Sequence, residues 1–160
     1  MRKLYKNIDG KLRYHEAWAS SEDGVATEHW GSVGEDGEIR QHPIPKGTSE
    51  AKMLKSILEG AAKNGFLPIP VRKHRTVVVE YKISEFGTDD DFKKRLAVDS
   101  HLNNVLGWTG LGHVDGGSTG SGTMEIVCVV VDPEVAIRVI KENMNDAQFS
   151  GYSRIYVEDA

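Results

Sequence analysis

The sequence has few of the features that mark membrane, secreted or disulfide-bonded proteins. Its 160 residues include one cysteine, so no disulfide can form within the chain. The apolar runs are far shorter than the ~20 residues of a membrane-spanning helix, and the N-terminal segment MRKLYKNIDGK lacks the apolar core of a signal peptide. These absences predict a cytoplasmic protein without membrane contact, and Cys128, inside IVCVVV, is predicted to be a buried apolar residue rather than a reactive thiol.

The charge of the chain is small and unevenly distributed. The net charge is −4, from 20 basic and 24 acidic residues. Residues 1–73 carry twelve Lys and Arg against ten Asp and Glu, a balance of +2, and residues 74–160 carry eight against fourteen, a balance of −6. A broad nucleic-acid surface is therefore not predicted, and any contact with a polyanion belongs to the first part of the chain.

The first seventy residues read as an antiparallel sheet followed by one helix. Short strand-like segments alternate with turn signals, and Asp9-Gly10 and Asp36-Gly37 favour tight hairpins. The segment TSEAKMLKSILEGAAKNGF has helical periodicity, with Thr48 or Ser49 as the N-cap and Gly65 as the left-handed stop. Prolines in FLPIPVRKHR then interrupt regular structure. We therefore predict a domain over residues 1–70 and a linker over residues 71–75.

Residues 76–160 alternate between strand and helix patterns. The strands are TVVVEYKI, LGHVD, TMEIVCVVV and YSRIYVED, and the helices begin at the caps Thr88 and Asp132. In the first helix the residues predicted to be buried are Phe92, Leu96, Leu102, Val105 and Leu106. The order β-α-β-β-α-β is typical of a ferredoxin-like sandwich. The fold class predicted for the whole chain is therefore α+β, in two domains.

One motif of the first domain carries a family resemblance. In HWGSVGEDGEI, Trp30, Gly31, Gly34 and Gly37 stand at the spacing of the WGR domain, which residues 3–70 resemble. The resemblance implies an antiparallel sheet packed on one helix. In poly(ADP-ribose) polymerases the Trp and Arg of the triplet help to hold a DNA end, whereas Ser32 stands here in place of that Arg. A hydroxyl has no fixed charge for phosphate, so DNA-end binding is kept as an alternative function.

A second candidate feature of the first domain is a set of cationic residues on its strands and turns. It consists of Lys6, Lys11, Arg13, Arg40 and Lys46, interleaved with Glu28, Glu35, Asp36 and Glu38. This mixture predicts a solvated face more than a nucleic-acid surface. We regard Trp30, Gly31, Ser32, Arg13 and Arg40 as the candidate binding residues of the domain.

The stretch HVDGGSTGSGTMEI raises the question of a phosphate loop or a metal site. Phosphate loops lead from a strand into a helix, whereas this stretch leads into another strand, which predicts a flexible hairpin tip that another backbone approaches closely. It also resembles a glycine-rich signature of uncharacterised bacterial ferredoxin-like proteins, which brings no activity with it. The metal alternative, a small metal-dependent enzyme, would use His113, Asp115 and Glu125.

The last candidate surface is the second sheet. Alternation along TMEIVCVVVD places Val127 and Val129 on the face away from the helices, where Tyr152 and Tyr156 are expected to join them. An apolar patch of this kind marks an interface with a partner protein or a second copy of the chain. We therefore predict a non-catalytic binding or adaptor protein of bacterial type that acts through protein contacts and needs no cofactor or metal.

Overall fold

The computed structural model describes residues 2–20 and 22–158, and in these ranges it is an α+β protein. It contains two antiparallel sheets of four strands each and three α-helices, which confirms the predicted class. The chain divides into two compact units, residues 1–70 and residues 71–160. No helix in the described ranges is long and apolar enough to cross a membrane.

The first unit is a four-stranded meander followed by one helix. Its elements are β1 (Arg2–Ile8), β2 (Lys11–Ser20), β3 (Val25–Ser32), β4 (Glu38–Pro43) and α1 (Glu50–Lys63), and the strands lie in chain order across the sheet. Asp9 and Gly10 both have positive φ, 52° and 80°, which confirms the tight turn predicted between β1 and β2. Gly37, by contrast, does not have a positive φ, so a left-handed turn conformation is not the reason for a glycine at this position.

Helix α1 packs against small residues on one face of this sheet. Its buried side chains contact Ala17 and Ala26, and we call the face that carries these two alanines the helix face. Ser49 caps the helix by accepting a hydrogen bond from the Lys52 N–H, and Gly65, with φ of 86°, follows its end. The helix boundaries predicted from the sequence are therefore confirmed.

The second unit interleaves four strands with two helices. A 3-10 turn at Val71–Lys73 precedes β5 (Arg75–Lys82), α2 (Asp89–Trp108), β6 (Gly112–Gly120), β7 (Thr123–Val130), α3 (Pro133–Asn143) and β8 (Arg154–Val157). The strand order is β6-β7-β5-β8 with all neighbours antiparallel. The segment predicted as a linker, residues 71–75, contains the 3-10 turn and the first residue of β5.

The core of the second unit is apolar. It contains Val77, Val79 and Tyr81 of β5, Met124, Ile126, Cys128 and Val130 of β7, and Val98, Leu102, Leu106, Ala136, Val139 and Ile140 of the helices. Burial raises the pKa of the Cys128 thiol to about 12, in line with its predicted role as an apolar core residue. In α2, Leu102 and Leu106 are buried as predicted, but Phe92 and Leu96 are 50% and 49% exposed. That part of the prediction was wrong because the buried stripe runs through Val98, Leu102 and Leu106.

The glycine-rich stretch is a strand rather than a loop. Strand β6 continues through the glycines and pairs with β7 as far as Gly120, and the turn consists of Ser121 and Gly122, with φ of 52° and 84°. The Gly122 N–H donates to the Glu85 carbonyl at 2.7 Å, and the Ile83 N–H donates to the Gly122 carbonyl at 3.0 Å. The hairpin tip that was predicted to be flexible is therefore hydrogen-bonded to the segment that follows β5, and the backbone that approaches it belongs to the same unit rather than to the first domain or a second subunit.

Strand β6 lies at the edge of its sheet, and α2 supplies partners for some of its backbone groups. Arg95 donates to the Gly117 carbonyl at 3.0 Å, and the Asn103 side chain accepts from the Val114 N–H at 3.1 Å. Between them the strand bulges, with a register shift between Val114 and Gly116.

Candidate binding groove

Trp30 lies on the helix face of the first sheet, beyond the part that α1 covers. It is half-buried and stands opposite His15 on β2, with the two ring centroids 5.9 Å apart. The His15 ring meets the edge of Phe66 at 6.1 Å, and the Arg40 guanidinium lies 5.5 Å from the centre of the Trp30 ring. These rings and the cation form a continuous aromatic surface.

A groove of about 480 Å³ opens beside these rings, entirely within the first unit. It is lined by Ile8, Asp9, Lys11, Arg13, Tyr14, His15, Trp30, Gly31 and Phe66. Lys11 and Arg13 are exposed and outnumber the one carboxylate of the lining, Asp9. The groove thus combines flat apolar walls with a net positive charge.

Ser32 stands where the Trp-Gly-Arg triplet has its arginine, and an arginine of the neighbouring strand lies beside it. Ser32 is 7% exposed, and its cross-strand partner on β2 is Arg13. Partners in an antiparallel pair project to the same face of a sheet. A guanidinium is therefore available next to Ser32 on the face that carries Trp30, although it comes from a different strand.

The glycines of the motif allow the chain to pack closely on Tyr14. A Cβ at Gly37 would overlap the Tyr14 hydroxyl, the His29 ring and the Trp30 carbonyl, and a Cβ at Gly31 would lie 3.1 Å from that hydroxyl. Gly37 is thus required for space rather than for a positive φ. This close packing fixes the backbone immediately after Trp30.

Beneath the groove, on the opposite face of the sheet, four side chains form a polar chain, and all of them except Lys3 are buried. Lys3 contacts Glu16 at 2.9 Å, and Glu16 accepts a hydrogen bond from His29 Nδ1 at 2.8 Å. The Tyr14 hydroxyl donates to His29 Nε2 at 2.9 Å. Burial, with the nearby Glu16 carboxylate, raises the pKa of Tyr14 well above its usual value. Tyr14 therefore keeps its proton and its hydrogen bond through the neutral range.

A second polar cluster lies beside the groove on the helix face. Glu28 accepts one hydrogen bond from His15 Nε2 at 2.7 Å and another from His42 Nε2 at 2.8 Å, each on a different carboxylate oxygen. Burial alone would raise the pKa of Glu28, but the hydrogen bonds from His42 and His15 outweigh it and hold that pKa below its usual value. Glu28 is therefore ionised at neutral pH.

Three of the four candidates of the second unit, Val127, Val129 and Tyr156, share one face of its sheet, and Tyr152 does not. Val127 and Val129 of β7 are half-buried, and Tyr156 lies on β8 in the same row as Val127 across β5. Tyr152 precedes β8 and lies edge-on to Tyr81, a core residue, at 6.5 Å. Tyr152 thus belongs to the helix-covered side rather than to the valine face on which it was expected.

The three metal candidates do not form one group. His113 and Asp115 are 4.0 Å from each other and largely exposed. His113 pairs with Val129 of β7, whereas Asp115 is the residue of the bulge, between the paired Val114 and Gly116. Glu125 stands opposite Ser118, five residues along β6 from His113, which is on the order of 15 Å at the usual strand rise. In the described ranges, no group of three or more His, Cys, Asp or Glu side chains is placed to hold a metal ion.

Comparisons of the chain with protein-family models, with curated proteins and with solved structures found no match. The sequence pattern indicates Trp30, Gly31 and Arg13 of the groove, but it assigns no role to His15 and Phe66. In the neighbouring cluster it assigns none to His42, and it predicts for Glu28 only a place on a solvated face.

Proposed function

We propose that this chain is a binding protein and that its first unit binds the end of a nucleic acid in the Trp30 groove. The observation that carries this proposal is the joint lining of the groove by aromatic rings and cations, Trp30, Phe66, Lys11 and Arg13. Aromatic side chains stack on bases and sugars, and cations contact phosphates. A strand end presents both kinds of group at once.

The WGR resemblance supports the same ligand, and the placement of Arg13 answers the objection raised by Ser32. We infer that Arg13 supplies the phosphate contact that the triplet lacks at position 32, because the two residues are cross-strand partners. We also propose the finer fold assignments, a WGR-like first unit and a ferredoxin-like second unit. The order β6-β7-β5-β8 with two interleaved helices supports the latter. A cytoplasmic location belongs to the same proposal.

The test is a titration of the protein with a 5′-phosphorylated DNA duplex at 50 and 200 mM salt, followed by the Trp30 indole signal. We expect salt-sensitive shifts at Trp30 and a loss of about tenfold in affinity for Arg13→Gln, with a shallower salt dependence. Arg138→Gln is the matched control, because Arg138 is an exposed arginine of α3 in the second unit. Equal binding by both variants, or no binding at 50 mM salt, would contradict the proposal.

A second candidate function is protein contact through the second unit. Its specific support is the exposure of three large apolar residues near the start of α2, Phe86 at 80%, Phe92 at 50% and Leu96 at 49%. Val127 and Val129 offer less free surface than the sequence predicted. Sedimentation of the protein against the double variant Phe92→Ser, Leu96→Ser would detect self-association, which we expect the two substitutions to weaken.

A further inference from the structure

The cluster of Glu28 with two histidines lies against the wall of the groove. His15 is both a lining residue and a donor to Glu28, so one imidazole joins the groove to the carboxylate. The side chains of His15, Glu28 and His42 are 20%, 13% and 28% exposed, which leaves the cluster partly screened from water. A change of charge in this cluster is therefore felt in the groove more strongly than it would be across solvent.

From these contacts we propose that the groove takes up a proton when it binds an anionic ligand, and that His15 and His42 hold this proton against Glu28. The inference rests on the proposed function, since it concerns the ligand of the same groove. With neutral imidazoles the cluster has a charge of −1, which repels a phosphate. Each protonation adds one positive charge, and both together bring the cluster to +1.

The other charged groups on the helix face are lysines, arginines and carboxylates, side chains whose reference pKa values lie outside the range in which histidine titrates. Strand β1 places Leu4 opposite His15 and Lys6 opposite Arg13. Strand β4 places Arg40 opposite Glu28 and Glu38 opposite Trp30.

Helix α1 turns its buried leucines and Ala61 to the sheet, while its lysines and glutamates are exposed. Arg2, Asp9 and Lys11 lie near the ends of these strands, and Lys11 pairs with Glu35 at 3.9 Å. Imidazole is the side-chain group that generally gains or loses a proton near neutral pH.

The sign of the effect follows from linkage. If ligand binding favours the protonated imidazoles, affinity is highest below the range in which histidine titrates and declines as pH rises through it. One added charge near the protein surface changes the affinity for a phosphate by about threefold to tenfold. We expect the affinity for a 5′-phosphorylated duplex to rise by that factor between pH 8 and pH 6. The terminal phosphate itself loses charge over this range, so the ligand would produce the opposite trend.

The experiment is isothermal titration of the full chain with this duplex at pH 6 and pH 8, in two buffers of different ionisation enthalpy, which gives the number of protons taken up. The variants are His15→Gln and His42→Gln, and His113→Gln, an exposed histidine of the second unit, is the matched control. We expect proton uptake in the protein and in His113→Gln, and a reduced uptake in each of the other two variants. Thermal unfolding of each variant checks that it is folded.

Each result decides between the two proposals. Binding with the same affinity and no proton uptake at both pH values overturns this inference and leaves the proposed function intact. Undiminished uptake in both His15→Gln and His42→Gln also overturns it, because the proton would then go elsewhere. No binding at either pH overturns the proposed function and this inference with it.

Discussion

In the first unit the sheet buries Glu16, His29 and Tyr14, polar side chains that Lys3 joins at the edge, whereas the buried side chains of the second unit are mostly valines, leucines and isoleucines. Buried polar groups are stable only when each has a partner, and they fix the geometry around them more narrowly than apolar packing does. In the first unit the buried side chains therefore position the backbone at Trp30. In the second unit they mainly stabilise the fold by apolar packing. The binding groove belongs to the first.

The largest effect is expected from a cavity in the apolar core. Leu102→Ala removes a fully buried side chain of α2 and should lower the free energy of unfolding of the second unit by about 2 to 5 kcal/mol. Urea unfolding followed by the amide signals of that unit measures the loss. A loss below 1 kcal/mol would mean that this core is not the source of its stability.

The next effect tests the close packing in the first unit. Gly37→Ala would force a methyl group into Tyr14, His29 and the Trp30 backbone, and we expect a cost of about 1 to 3 kcal/mol together with weaker duplex binding. Gly60→Ala, in α1 of the same unit, is the control. Apart from Gly60, its two chain neighbours and the nearby backbone of α1, no atom of the described structure lies within 4 Å of a Cβ placed at Gly60, so this substitution should raise helix stability by roughly 0.5 to 1 kcal/mol. If the free energy of unfolding changed in the same direction in both variants, the distinction between the two glycines would be refuted.

A smaller loss is expected when one hydrogen bond is removed from the polar chain. Tyr14→Phe keeps the ring and deletes the hydroxyl that donates to His29, which should cost about 1 to 2 kcal/mol. Chemical denaturation measures this difference. A shift of the Trp30 indole signal in the free variant would show that the chain also positions the groove, and an unchanged spectrum would show that its role is confined to stability.

The smallest effects have opposite signs in the two units as pH changes. The lowered pKa of Glu28 means that its contribution to stability is present above the unfolded pKa and is lost as pH falls through the folded one. Burial raises the pKa of Asp99 despite the nearby Arg95, so the contribution of Asp99 is present at low pH and is lost as pH rises through the folded pKa. Asp99 Oδ1 is buried and has no hydrogen-bond partner among the described residues.

Two isosteric variants check these signs. We expect Glu28→Gln to lower the stability of the first unit at pH 7 and Asp99→Asn to raise that of the second. Both differences should shrink as pH falls towards 3, because protonation of each native carboxyl group removes the charge that distinguishes it from its amide variant. Melting temperatures measured from pH 3 to pH 7 would reveal the trends, and parallel curves for both variants would contradict them.

Local signals in the sequence predicted much of this architecture. The caps Ser49, Thr88 and Asp132 and the turn at Asp9-Gly10 depend on neighbouring residues alone, and all four are where the sequence placed them. The phase of α2 was harder, because Phe92 and Leu96 fit one apolar stripe and Val98 fits another. Only the packing against β6 and β7 decides between the two stripes.

The groove could not be predicted from the spacing of residues along the chain. Alternation along β2 puts Arg13 and His15 on one face, but their contacts with Ser32, Glu28 and Phe66 require the register of β3 and the return of the chain after α1. Gly37 illustrates the same limit. Its sequence context indicates a turn glycine, but a glycine is needed there because Tyr14, two strands away, leaves no space for a Cβ. The glycines of β6 were misread in the opposite direction, as a loop.

The bulge in β6 has a consequence for the behaviour of the protein at high concentration. An edge strand with regular spacing and bare glycines is a template on which the strands of other molecules can add, and this is how ordered aggregates begin. Here Asp115 protrudes at the bulge, and Arg95 and Asn103 already occupy backbone groups on either side of it. These features disfavour the addition of a strand from another molecule at this edge of the sheet.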